Sequence, residues 1–122
     1  MKKLKAKPLK SGDEIAVIAP ASPVSSSEQV TEAVSLLSER GYKTVLGEST
    51  VPKDKDWAGS DLCRQTDLEK FWYEQSVKAI WCLRGGYGSI RLLPRLWFGV
   101  FMRSPKIFIG FSDITALELA IW

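Results

Sequence analysis

The 122-residue sequence contains no histidine and only two cysteines. Without histidine, no imidazole is available as a general base or as a metal ligand at neutral pH. Cys63 and Cys82 are not spaced like metal ligands, and two isolated thiols are typical of a reducing cytosolic compartment. The sequence therefore predicts a cytoplasmic protein that holds neither a metal ion nor a cofactor.

Long hydrophobic runs and a strong net charge are also missing. The run Ile15–Ala19 is too short for the core of a signal peptide, and no stretch is long enough to span a membrane. A net charge of +3 is too small to indicate a nucleic-acid partner. From Gln75 to Ser112 acidic residues are absent, so this segment either favours an anionic ligand or carries solvated cations, which are Lys78, Arg84, Arg91, Arg95, Arg103 and Lys106.

Short apolar runs alternate with helical patterns along the chain. Their positions predict four strands, at residues 14–19, 42–46, 77–83 and 107–109. Strands that are apolar throughout are typical of parallel sheets covered on both faces. We therefore expect one α/β domain with a parallel, doubly wound, flavodoxin-like sheet of about four β–α units. Ligands of such sheets bind at the carboxyl ends of the strands.

The segments between the strands predict helices of unequal regularity. A capping-box pattern at Ser25-x-x-Glu28 opens the first helix, and Gly41 ends it. Asp61 is the expected cap of the second helix, after a loop over residues 47–60. Pro94 predicts a short or two-piece helix after Ser89, and the apolar connector 97–101 is expected to pack on the sheet edge.

Ser112 lies at a predicted turn between a strand and a helix. Residues 107–109 form the apolar strand, and beyond Asp113 apolar residues recur at the helical spacing of Ile114, Leu117 and Ile121. A serine on such a turn has the geometry of a nucleophile elbow. However, Ile114 replaces the second glycine of G-x-S-x-G, and a serine or aspartate before a helix is more often an N-cap. On the pattern alone the N-cap is favoured and the nucleophile stays open.

The segment Arg84-Gly-Gly-Tyr-Gly88 directly follows the third predicted strand. Its glycines can expose backbone N–H groups to a phosphate or an oxyanion, although it matches neither G-x-G-x-x-G nor a P-loop. A simple tight turn is equally compatible, and a serine elbow on a neighbouring strand favours an oxyanion hole. Arg84 would bind a carboxylate or form a surface salt bridge, and Tyr87 would line a pocket or cover the sheet end.

Several segments together resemble the N-terminal domain of the LD-carboxypeptidases, a serine peptidase family that includes microcin C self-immunity proteins. In chain order they are Leu9–Pro23, Ala58–Asp61 with Arg64 and Asp67, Val77–Ser89 with Arg91–Pro94, and Pro105–Leu117. They cover nearly the whole chain, and their combination is far more specific than any one motif. The connector 97–101 departs from the family, which is usually more polar there.

The resemblance implies a serine carboxypeptidase that cleaves an L,D-peptide bond and releases the terminal D-alanine of a murein tetrapeptide during cytoplasmic cell-wall recycling. A related microcin-immunity hydrolase is the other family activity. The implied nucleophile is Ser112, and the implied oxyanion hole consists of the N–H groups of Gly86 and Asp113. Residues expected near the substrate are Gly85, Tyr87 and Arg84.

The family's glutamate and histidine, which complete the Ser-His-Glu triad, belong to a C-terminal domain. This sequence has no such domain, so residues 1–122 are expected to be an N-terminal nucleophile domain that is inactive alone. The resemblance also implies a homodimer for the full-length form. Two other functions stay open: a flavodoxin-like or amidotransferase-like anion-binding module, and a non-catalytic remnant.

Overall fold

In the computed structural model of the chain, which describes residues 4–51 and 58–122, four parallel strands form one sheet. They are β1 (Glu14–Ile18), β2 (Lys43–Leu46), β3 (Val77–Cys82) and β4 (Ile107–Ile109), in the order β2-β1-β3-β4. Ala16 of the central β1 aligns with Val45 on one side and with Ile80 on the other. The predicted parallel α/β sheet is confirmed, and each strand end lies within one residue of its predicted position.

Helices cover both faces of the sheet. They are α1 (Ser27–Glu39), α2 (Asp61–Tyr73), α3 (Gly99–Arg103) and α4 (Thr115–Ile121). Leu37 of α1 packs with Ile15 and Val17 on one face. On the other face the three later helices contribute Leu68, Phe101 and Leu117 to a cluster with Ala16, Ile18 and Ile80. The chain winds from β1 to β2 and then back to β3, so right-handed crossovers place α1 and α2 on opposite faces.

Both predicted helix starts are wrong by one residue. The N-cap of α1 is Ser26, and the expected capping box is absent because the N–H of Ser25 donates to Oε1 of Gln29 at 2.9 Å. The N-cap of α2 is Ser60, whose hydroxyl accepts from the N–H of Cys63 at 3.0 Å. At each start two neighbouring residues are suitable N-caps. The observed caps are Ser26 instead of Ser25 and Ser60 instead of Asp61.

The region between β2 and α2 is only partly a loop. Residues Glu48–Thr50 form a 3₁₀ helix, which the sequence did not predict, while 52–57 lie outside the described residues. Asp67 of α2 fixes this turn, because its carboxylate accepts from the N–H groups of Glu48 and Ser49 at 3.1 and 2.9 Å. A buried carboxylate with several donors thus attaches the chain after β2 to the second helix.

The segment around Pro94 is a two-piece helix, as predicted. A 3₁₀ helix spans Ser89–Arg95, and α3 follows after a break. The apolar connector divides between core and surface. Phe101 is buried and stacks edge-on against Trp72 of α2, with 4.8 Å between ring centroids, whereas Trp97 stays exposed under Arg103. Its buried half packs against α2 and belongs to the core cluster against which Phe108 of the edge strand β4 packs. The connector therefore packs at the sheet edge through this half, while Trp97 and Phe98 are exposed.

The helices of the described residues are all too short or too polar to cross a lipid bilayer.

Candidate active site

Three loops meet at the carboxyl edge of the sheet. They follow β1 (20–23), β3 (84–88) and β4 (110–113), and hydrogen bonds join them directly. The N–H of Ser22 donates to the carbonyl of Gly85 at 3.1 Å, and the N–H of Ser89 donates to the carboxylate of Asp113 at 2.8 Å. The sequence predicted this meeting from the parallel order of the strands.

Ser112 occupies a strained turn between β4 and α4. Phe111 before it is extended, and the 3₁₀ turn Ser112–Ile114 leads directly into α4. With φ at +57°, Ser112 is the single non-glycine residue with a left-handed backbone in the described part of the chain. This conformation costs a residue with a side chain about 1–2 kcal/mol. A strained serine between a strand and a helix is the geometry of a nucleophile elbow, and Ser112 caps no helix with its side chain.

The glycine-rich loop after β3 lies against this elbow. A Cβ atom placed on Gly85 would be 3.0 Å from Cβ and 3.5 Å from Oγ of Ser112, so the loop backbone approaches the serine closely. Gly86 has φ at +94°, and a Cβ there would overlap the Ser22 side chain. Only glycine satisfies both the approach at residue 85 and the turn at residue 86.

The N–H groups of Gly86 and Asp113 donate to no acceptor among the described residues. Gly86 lies in a loop, and Asp113 lies in the first turn of a 3₁₀ helix, where N–H groups lack an intrahelical partner. N–H groups without an acceptor, one next to the serine in sequence and one in the loop that approaches it, can stabilise a negatively charged oxygen that develops near the serine. The arrangement is therefore chemically suited to acyl transfer.

Asp113 is a structural anchor in this site. Its carboxylate accepts from the N–H of Ser89, and its carbonyl accepts from the Ser89 hydroxyl at 2.7 Å. The expectation that Asp113 caps its own helix is wrong, because it instead caps the 3₁₀ helix that begins at Ser89. The pairing fixes the serine elbow relative to the end of the glycine loop.

A buried arginine of α2 binds both the glycine-rich loop after β3 and the loop after β1. Arg64 of α2 is fully buried, and its guanidinium donates to the carbonyls of Pro20 and Gly88 at 2.9 and 2.8 Å and to the carboxylate of Asp61. Burial lowers the pKa of Arg64, and Asp61 opposes that shift. Asp61 also binds Arg91, and that hydrogen bond lowers the pKa of its carboxyl group. The charged cluster thus connects three separate segments.

Arg84 and Tyr87 take no part in the charged cluster of Arg64, Asp61 and Arg91. The Arg84 guanidinium donates to the carbonyl of Pro23 at 2.7 Å, and no salt bridge of Arg84 is formed with the described residues. Tyr87 is 58% exposed and therefore covers little of the sheet end.

Sequence reasoning missed the roles of three residues, Ser22, Arg64 and Ser89. Each acts by contacting a loop distant in sequence, and neither local spacing nor composition marks such contacts. The position of Ser22 directly after the first strand was the one available signal. The described residues hold no cluster of three potential metal ligands, and burial raises the pKa of the Cys82 thiol, which makes it a poor nucleophile.

A family model described as "LD-carboxypeptidase N-terminal domain" matches residues 15–122. The chain belongs to the LD-carboxypeptidase family. The resemblance inferred from the sequence is therefore confirmed, and with it the membership in a family of serine peptidases.

Similar proteins agree with this assignment. The murein tetrapeptide carboxypeptidase of Pseudomonas aeruginosa is 39% identical over 104 residues, which are 84% of this chain and 34% of that protein. The microcin C7 self-immunity protein MccF of Escherichia coli is 32% identical over 121 residues. A solved structure of MccF superimposes with a TM-score of 0.91 over 98% of this chain and 36% of MccF. An MccF-like protein of Bacillus anthracis, 36% identical, gives the same TM-score over 98% of this chain and 37% of its own.

The chain spans about a third of the length of these relatives. The part that the relatives share with it contains all three loops of the site. The remaining two thirds of each relative have no counterpart in this chain.

Proposed function

We propose that this chain is the nucleophile-bearing N-terminal domain of a serine LD-carboxypeptidase that releases terminal D-alanine from a murein tetrapeptide. The observation that carries the proposal is the left-handed backbone of Ser112 directly beside the glycine loop. Family membership and the named activity of the Pseudomonas relative support the substrate class. A related immunity hydrolase that acts on a microcin-type compound is the alternative within the family, as MccF exemplifies by name.

In this mechanism the hydroxyl of Ser112 attacks the carbonyl carbon of the L,D-peptide bond. A base takes the hydroxyl proton, and the N–H groups of Gly86 and Asp113 bind the oxygen that becomes negative. Collapse of the intermediate breaks the C–N bond, and the same base returns the proton to the departing D-alanine nitrogen. Water then hydrolyses the ester on Ser112, which restores the serine.

We place the base outside residues 1–122. The sequence contains no histidine, and the Asp113 carboxylate already accepts from Ser89. We assign the base, a histidine oriented by a glutamate, to the C-terminal domain that a complete family member supplies. In this proposal Gly85, Tyr87 and Arg84 are the residues of this chain that lie near the bound substrate. We further propose a cytoplasmic location and a homodimeric full-length form.

The proposal is tested in a chimera that joins residues 1–122 to the remaining two thirds of the Pseudomonas enzyme. We expect D-alanine release from murein tetrapeptide, and we expect Ser112→Ala to abolish it. Ser104→Ala is the matched control, because Ser104 is exposed and only its carbonyl is engaged, by Trp72. Release that persists in Ser112→Ala at the parent rate would refute the proposal.

A further inference from the structure

One residue of the first loop contacts the glycine loop on both sides of Gly86. The N–H of Ser22 donates to the carbonyl of Gly85 at 3.1 Å, and the hydroxyl of Ser22 accepts from the N–H of Tyr87 at 2.9 Å. Two consecutive peptide groups, 85–86 and 86–87, are therefore attached to the same serine. Its side chain is half-buried between the two loops.

The direction of these bonds determines the direction of the Gly86 N–H. In a trans peptide the C=O and the N–H point to opposite sides. Because the Gly85 carbonyl points to Ser22, the N–H of Gly86 in the same peptide points away from Ser22. A rotation of either peptide group would turn a Gly86 polar group inward, and glycine by itself opposes such a rotation very little.

We propose that Ser22 is a positioning residue for catalysis: its backbone N–H and hydroxyl together keep the Gly86 N–H directed outward as an oxyanion donor. The inference rests on the proposed function of Gly86, but it concerns a residue in a different loop. It predicts that the hydroxyl of Ser22 acts on turnover through Gly86, without contacting the substrate.

The first test uses the 122-residue chain itself and needs no activity. Amide hydrogen exchange is measured by NMR in Ser22→Ala, Ser22→Thr and the control Ser25→Ala, whose exposed side chain lies between that loop and α1. We expect the Tyr87 amide of Ser22→Ala to exchange at least about tenfold faster, because its acceptor is lost, while the strand amide of Ile80 is unchanged. Ser22→Thr, which keeps the hydroxyl, should restore protection. Unchanged exchange at Tyr87, or equal acceleration at Ile80, would overturn the proposal.

The second test measures D-alanine release in the chimera described above. Ser22→Ala should lower kcat about tenfold or more with KM within about twofold, since loss of an oxyanion donor costs about 100- to 1,000-fold and misalignment costs a part of that. Ser22→Thr should recover most of the rate, and Ser25→Ala should match the parent. A parent-like kcat in Ser22→Ala, or a change confined to KM, would refute the positioning role. If the Ser112→Ala chimera were as active as the parent, the proposed function would fail instead, and the exchange experiment would still decide the role of Ser22.

Discussion

In the proposed mechanism, Ser112 and Gly86 carry the chemistry at the scale of single residues. Both have positive φ. The side chain of Ser112 is positioned by the loop after β4, and the backbone N–H of Gly86 by the loop after β3. The strain at Ser112 persists because Asp113 holds the turn to Ser89. Strained residues of this kind are retained where the surrounding structure over-determines them. The site is thus built from backbone conformation more than from ionisable side chains.

Replacing Gly86 should mainly reduce turnover. In the chimera, Gly86→Ala places a methyl group against Ser22 and strains the turn, which displaces the N–H from the developing oxyanion. We expect kcat to fall by about 100-fold, with KM changed by less than threefold. Gly12→Ala is the matched control, since Gly12 has φ at +88° but no atom near the added methyl. A kcat within a few-fold of the parent would show that Gly86 is only a turn residue.

Asp113 should contribute to stability through its carboxylate oxygen. In Asp113→Ala the N–H of Ser89 loses its acceptor, and we expect a loss of about 1 kcal/mol in the free energy of unfolding. Asp113→Asn keeps an oxygen acceptor and should lose less than half of that. Urea denaturation of the 122-residue chain measures both variants. Equal losses in the two would contradict the capping role.

At the scale of elements, α2 connects the sheet to the site. Its buried face holds Leu68, Phe71 and Trp72 in the core cluster with the strand residues Ala16, Ile18 and Ile80. The same helix carries Arg64, which binds the loops after β1 and β3 at once. Packing of the helix and placement of the loops are therefore coupled.

Removing the Arg64 guanidinium should unfold much of this arrangement. Arg64→Met leaves the carbonyls of Pro20 and Gly88 without their donors in a buried setting. We expect a loss of about 3 kcal/mol in the free energy of unfolding. Arg40→Met, at an exposed arginine with one long bond to the Leu36 carbonyl, should change it by less than about 0.5 kcal/mol. A loss at Arg64 as small as that at Arg40 would contradict the structural account.

The sheet could be predicted from the sequence because burial on both faces leaves a direct signal. Residues 15–18 are almost inaccessible to solvent in the structure. Such burial requires a continuous apolar run, and that run alone was enough to predict the strand from the sequence. Helix starts were less certain, since three serines in a row, Ser25 to Ser27, lie at the start of α1 and only the backbone geometry selects Ser26 as the N-cap. The roles of Ser22 and Arg64 could not be predicted, because each depends on two loops being adjacent in space. The elbow was predictable as a turn, but its left-handed Ser112 was not.

At the scale of the whole molecule, the proposed mechanism places only part of the catalytic site in residues 1–122. The chain contains the strained Ser112 turn and two N–H groups that donate to no acceptor among the described residues, while the sequence offers no imidazole. Several large apolar side chains also remain exposed, among them Ile109 and Leu119 near the end of the chain and Trp122 at its terminus. Such surface is consistent with contacts to the part that the longer relatives possess.

The 122-residue chain alone should therefore release no measurable D-alanine from murein tetrapeptide. General-base assistance contributes about 100- to 10,000-fold, and the missing part would also position the substrate. The chimera provides the positive control under the same conditions. Release by the isolated chain that scales with its concentration and disappears in Ser112→Ala would show that a second domain is not needed.

The most direct measurement of the central claim is covalent labelling of the chimera with a fluorophosphonate, followed by peptide mass spectrometry. Only a serine that is activated by a base and flanked by oxyanion donors reacts readily with this reagent. We expect one adduct, on Ser112, that is lost in Ser112→Ala and does not form on the isolated chain. An active chimera that is labelled at another serine, or that shows no adduct on Ser112, would contradict it.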